Sequence, residues 1–193
     1  MCDRVVGQYG AGFAAADFFT VEVLTLAGLK RYLVFFVIEL QTRRVQIAGI
    51  HPQPGGAWVE QMVRTLTDPV DGFLRTAHYL IHDRDPPYSR AVADILTSAG
   101  IQPLRLPPRS PNLNAYAERF VRSIKGECLN RVVPLGDGHL RLLTREYVDH
   151  YRNHQGLDNR LLQHAAPPQR TATTVRRRDR LGGLLRFYHR EAA

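Results

Sequence analysis

Cysteine is nearly missing from this 193-residue chain, which has only Cys2 and Cys128. Two cysteines so far apart make no metal-ligand spacing and no disulfide framework, so both are expected to be reduced thiols. Long apolar runs are missing too. The longest, Tyr32 to Ile38, falls far short of the roughly 20 residues that a helix needs to cross a bilayer. At the start, Asp3 and Arg4 lead into a mixture of small residues without a cleavage pattern, so no secretory signal is expected. Internal repeats and low-complexity tracts are also absent. A content of 44% hydrophobic and 23% charged residues is an ordinary globular balance. The expectation is a soluble cytoplasmic protein with no membrane partner.

Basic residues are scarce only in the first half. Residues 1–100 hold 9 Lys and Arg against 10 Asp and Glu, whereas residues 101–193 hold 17 against 8. All of the +8 formal charge therefore comes from the second half, which is rich in arginine. Such asymmetry suggests a polyanionic partner whose phosphates the cations neutralise. A solvated basic surface has the same composition, and the Arg176-Arg177-Arg178 cluster alone does not separate the two.

Residues 1–13 show no sustained period and are assigned as an irregular leader. Asp17 to Leu24 and Tyr32 to Leu40 are rich in aromatic and β-branched residues, and Val45 to Ile50 repeats the pattern after a polar turn. Three strands joined by short turns make an antiparallel meander. Trp58, Val59, Met62, Val63 and Leu66 then recur at helical spacing. His78 to Ile81 is a brief fourth strand. A helix capped by Ser89 and ended by Gly100 follows, then a fifth strand from Ile101 to Leu106. Asn112 or Asn114 can cap the next helix, whose Ala117, Phe120, Val121, Ile124 and Cys128 share a face. A further helix runs from His139 to about Asn153. The fold class is α/β: a mixed five-stranded sheet, its first three strands the meander, with helices on both faces. The folded core spans 14–165, and 166–193 is a basic C-terminal tail in which Leu184 to Tyr188 could dock as a strand.

Three carboxylates stand out. Asp17 interrupts a strand, where Asp is depleted, and needs a hydrogen bond, a cation or a metal as partner. Asp83 ends a short apolar strand, at the edge where open α/β sheets collect ligands, with Asp85 as a rival. Glu118 shares a helix face with Arg122 and Lys125 at i+4 and i+7, a spacing that an exposed ion-pair stripe would also explain. If the first and fourth strands are neighbours, the two aspartates are adjacent and the helix can bring Glu118 to them. An all-oxygen set suits magnesium or manganese better than zinc. Two such ions, about 3.5–4 Å apart, serve in-line phosphoryl displacement.

The segments AADFFTVEV, FFVIELQTRRV, YLIHDRD, LPPRSPNLNAYAERFVRSIKGECL and YRNHQGLDN resemble the catalytic core of bacterial insertion-sequence transposases, which is similar to that of retroviral integrases. The 34 residues between Asp83 and Glu118 are close to the family's interval. The resemblance implies a ribonuclease H-like fold for the core. It also implies that Asp17, Asp83 and Glu118 are the metal-binding catalytic triad, and that Arg122 and Lys125 contact the element's end; Arg119 and Arg109 join them as expected DNA contacts. The implied activity is nicking at the 3′ end followed by strand transfer into target DNA, by a homo-oligomer associated with the bacterial nucleoid. Members carry an N-terminal helix-turn-helix region that 1–13 cannot supply, so a truncated transposase is expected. The alternatives are a remnant that binds DNA or inhibits the full-length enzyme, and a nonspecific nuclease of the same fold. His82 is expected to make a structural hydrogen bond, and Trp58, Tyr147 and Tyr151 to pack in the core.

Overall fold

The computed structural model describes residues 12–83, 89–106, 114–155 and 175–190. Residues 1–11 of the expected leader, and Asp85, Arg109 and Asn112, lie outside them.

The sheet is built on strand β1, Phe13–Thr25, which is covered on both faces. Successive strand side chains point to opposite faces. Accordingly Ala15, Phe19, Val21 and Val23 enter one core cluster, while Ala14 and Ala16 enter the other and Phe18 packs against it. Strand β2, Gly28–Glu39, pairs antiparallel with β1 from Ala14↔Glu39 to Thr25↔Gly28. At the hairpin tip Thr25 Oγ1 donates to the Gly28 carbonyl at 2.7 Å, and Gly28 turns the chain at φ +94°, a conformation glycine adopts without steric cost. Strand β3, Val45–His51, pairs antiparallel with β2, and Ala48 is bulged out of register. Strands β4, Tyr79–His82, and β5, Gln102–Arg105, are parallel to β1 and complete the order β3-β2-β1-β4-β5. The expected five-stranded mixed sheet and its meander are present.

Helices cover both faces. Helix α1, Gly56–Leu66, and helix α2, Arg90–Ser98, lie over Ala14, Ala16, Phe35, Val37 and Leu80. Ser89 caps α2 by accepting from the Val92 amide at 3.3 Å, and Gly100, at φ +76°, follows its end. Trp58 and Met62 of α1 settle on Gly49 of β3, where there is no side chain to hold them off.

The opposite face receives helix α3, Ala115–Ile124, and helix α4, Gly136–Gln155. Ala117, Phe120 and Ile124 are the buried stripe of α3. Phe120 lies 4.8 Å from Phe36 and 5.2 Å from Tyr151, ring centroid to centroid, so one ring ties the helix to both the sheet and α4. The helix does not continue in α form to Cys128 as its periodicity suggests. Lys125–Leu129 is a π-helical turn that buries Cys128 and Leu129, and the Tyr147 hydroxyl donates to Glu127 Oε2 at 3.0 Å beside it. The wider turn keeps Cys128 in the core while Glu127 reaches α4, a demand that simple helical spacing does not register.

Asn114 occupies the N-cap position of α3, but its side chain makes no cap hydrogen bond. It is 3% exposed, and neither amide atom has a partner among the described residues. Its backbone, at φ −113° and ψ 25°, is not the extended conformation from which an N-cap side chain reaches back to the first-turn amides.

Within the stretch expected as a basic tail, β6, Val175–Arg180, and β7, Leu185–Arg190, form an antiparallel hairpin. Leu185 is buried in the α3/α4 cluster, with Leu181 and Leu184 packed against it. The second strand lies where Leu184 to Tyr188 pointed to one; its partner was hidden by its arginines.

Burial pushes the Cys128 thiol up to about 11, with the charge of Glu127 adding to the effect, and burial likewise raises Tyr147 above its ordinary value. The folded chain therefore keeps protons that the unfolded chain releases above the ordinary Cys value of 9.0. This contribution to stability is complete below that pH and is lost as the pH rises towards the folded value. Urea midpoints should fall across this alkaline window, and fall less in Cys128→Ala; equal falls in both proteins would refute the assignment to Cys128.

A β-carbon at Gly49 would stand 2.5 Å from Trp58 Cζ2 and 2.7 Å from Met62 Sδ. Gly49→Val should cost about 1–3 kcal/mol, the usual penalty for overpacking a filled core. Denaturant unfolding followed by Trp58 fluorescence measures it, and an unchanged midpoint would contradict this packing.

Candidate active site

The parallel pairing of β1 with β4 runs from Phe13↔Tyr79 to Ala16↔His82. The ladder stops there, so Asp17 and Asp83 each follow directly on the last paired residue of their segment. By strand alternation Asp17 shares a face with Ala15 and Phe19, the face that α3 covers. Ile81 also packs against that cluster, so Asp83, two residues on, takes the same side. Asp17 Oδ1 accepts from the Phe18 amide at 2.7 Å, one of the partners its position calls for.

Glu118 is exposed in the first turn of α3, next to buried Ala117, which belongs to the same cluster as Ala15. The fold thus leaves both aspartates one residue past the last β1–β4 pair and carries Glu118 on the helix packed over the face of Ala15 and Phe19. Among the described residues, no three Asp, Glu, His or Cys side chains are gathered closely enough to hold a metal ion. The donor set is still all oxygen, and its strand members share one face, which fits a hard divalent cation.

Cations follow the acid along α3. Arg119 and Arg122 are exposed, and Lys125 is half-buried with its ammonium 5.8 Å from the Phe19 ring centroid. His82 is 8% exposed, and its Nδ1–H donates to the Asp83 carbonyl at 2.8 Å, bracing the backbone at the second aspartate. On the other face of the sheet, the α2 side, lies Arg105, which sequence reasoning did not single out. It ends β5 in register with His82 and, with Arg90 and Ser89, lines a cleft of about 350 Å³ beside the end of β4. The signal was available, because the C-terminal ends of parallel strands form one ligand-facing edge.

This arrangement has counterparts in known folds. The simian T-cell lymphotropic virus intasome structure, in complex with PP2A regulatory subunit B56 gamma, aligns over 89% of this chain and 64% of its own matched chain, with a TM-score of 0.52 at 16% identity. At that identity the likeness shows a shared fold. Two further integrase cores align less completely. The BIV integrase catalytic core domain has a TM-score of 0.47 at 16% identity, covering 61% of this chain and 69% of its own. The HTLV-2 integrase catalytic core domain, solved with magnesium in a dimeric form, has a TM-score of 0.46 at 12% identity, covering 63% and 72%. Residues 99–161 match the family model described as integrase core domain, a stretch that includes Glu118 but neither Asp17 nor Asp83. No curated protein matches the chain. The five-stranded mixed sheet expected from the sequence is therefore present, in a fold shared with the intasome structure. Among the described residues, no helix is long and apolar enough to cross a membrane.

Asn114 gives the site a test of its own. Losing a working Asn N-cap costs about 1 kcal/mol, whereas removing a buried amide that has no partner relieves a desolvation penalty of about 1–3 kcal/mol. Asn114→Ala should leave thermal stability unchanged or raise it. A clear loss in the melting midpoint would show that the side chain caps α3 after all.

Proposed function

We propose that this chain is a DNA-acting phosphoryl transferase of the integrase and transposase kind, with Asp17, Asp83 and Glu118 as its carboxylate triad. The observation that best supports this is the β1–β4 register, which ends at Ala16↔His82, one residue before each aspartate, on a sheet covered by the helix that carries Glu118. Two magnesium or manganese ions held by these oxygens would activate the attacking oxygen and stabilise the leaving one.

No enzyme nucleophile is required. In the first step a water oxygen bonds to phosphorus at the end of the element and the P–O3′ bond breaks, freeing a 3′-hydroxyl. In the second, that hydroxyl oxygen bonds to a target phosphorus and the target's own 3′ oxygen leaves. Arg119, Arg122 and Lys125, following Glu118 along α3, are suited to neutralise phosphates of the strand being cut, and Arg109 joins them from the sequence. Joining two ends needs two active sites, which favours a homo-oligomer. In this reading the chain acts on element DNA in the bacterial nucleoid.

A second reading, a chain that binds DNA without cutting it, draws on the lack of a gathered three-ligand group among the described residues. One assay separates the two. Purified protein is incubated with DNA from the ends of the element that encodes it, with Mg²⁺ or Mn²⁺, beside Glu118→Gln. The triad reading expects metal-dependent nicks and joined products, both reduced in the variant by more than the roughly 10–100-fold that losing an outer-shell partner of a metal ligand costs. Binding by both proteins with cutting by neither would favour the second reading.

A further inference from the structure

The C-terminal hairpin lies outside the site described above. Val175–Arg190 contains six arginines and one acid, Asp179. Freely moving basic tails lose much chain entropy when they bind, but this segment is already docked. Leu185 is buried, and Leu181 and Leu184 pack against the same cluster as Phe120 and Tyr147.

The dock is also electrostatic. Arg180 Nη1 donates to Glu146 Oε2 at 2.8 Å and reaches Asp149 Oδ2 at 3.4 Å, two acids one turn apart on α4. The Arg180 side chain is 12% exposed, so solvent screens this clamp far less than an open surface pair. Arg180 is spent on holding the hairpin. Arg177, Arg178 and Arg186 remain exposed. Among the described residues, Arg177 forms an ion pair only with Asp179, at 2.9 Å and in the open, an interaction weak enough for a phosphate to replace.

We propose that the hairpin is a preformed arm that grips the phosphate backbone of duplex DNA through Arg177 and Arg186, which strand alternation puts on one face, and Arg178, exposed on the other, with Arg180 as its positioning residue. Because it packs on α4, it stands on the same side of the sheet as the helix of Glu118. This rests on the DNA-acting reading and extends the interface beyond α3.

The test uses the full chain and a duplex oligonucleotide of arbitrary sequence, without divalent metal, and follows affinity against salt. The triple variant R177Q/R178Q/R186Q alters exposed side chains only, and matching circular dichroism verifies its fold. It should lower the log–log salt slope by about 2–3, close to one unit for each phosphate no longer neutralised. Arg180→Met should weaken duplex binding, and Arg180→Lys, which keeps a cation for Glu146, should restore much of it. An unchanged slope in the triple variant overturns the arm. A reduced slope there with wild-type binding by Arg180→Met overturns the positioning role. Metal-dependent nicking with an unchanged slope removes the arm while leaving the catalytic reading in place, whereas failure of the wild-type chain to bind any duplex removes both.

Discussion

The candidate site depends on the parallel alignment of β1 with β4. Antiparallel hairpins take their register from a short turn, as β1 and β2 do at Thr25 and Gly28, but parallel neighbours must be brought together by the packing of everything between them. Here α1 and the residues that follow it carry the chain from β3 back to β4, and the apolar residues of both faces hold the two strands in step. A one-residue slip would turn Asp83 to the opposite face from Asp17. The small side chain of Ala15, fully buried on Asp17's own face, leaves α3 room to lie near the sheet just before that residue.

Above that alignment, Phe120 links three layers. Its ring meets Phe36 in the sheet and both Tyr147 and Tyr151 in α4, so the helix bearing Glu118 cannot shift without disturbing both neighbours. Aromatic contacts of this kind add about 0.5–1.5 kcal/mol each beyond the burial of apolar area. The π-helical turn continues the same packing by seating Cys128 in the core, where its raised pKa leaves little thiolate for chemistry.

Much of this could be read from the chain. Strands of alternating or wholly apolar β-branched and aromatic residues announced the sheet, and Asp17 stood out because an acid in such a strand needs a partner. Ser89 was legible as a cap because its local sequence decides it. Asn114 was not, since whether an Asn at a helix start reaches back to the amides depends on a backbone conformation set by tertiary packing. Strand β6 was hidden for a related reason: Val175–Arg180 has the composition of a solvated tail, and only its pairing with β7 and the clamp from Arg180 to α4 make it a strand. Arg105 was passed over because its significance comes from the edge where its strand ends rather than from its neighbours in sequence.

The uneven charge of the sequence takes on a spatial meaning in the fold. The basic half of the chain supplies α3, α4 and the hairpin, and all three pack on the face of the sheet towards which Asp17 and Asp83 are turned. An asymmetry between halves of a sequence thereby becomes an asymmetry between faces of a sheet. The acids on that face are not a general counterweight. Glu146 and Asp149 are engaged by Arg180, Glu127 by Tyr147, and Asp137 by Arg141, which also donates to the Ile50 carbonyl on edge strand β3. With those acids committed locally, a polyanion that came to α3 or to the hairpin would meet exposed arginine there rather than an uncommitted carboxylate of α4.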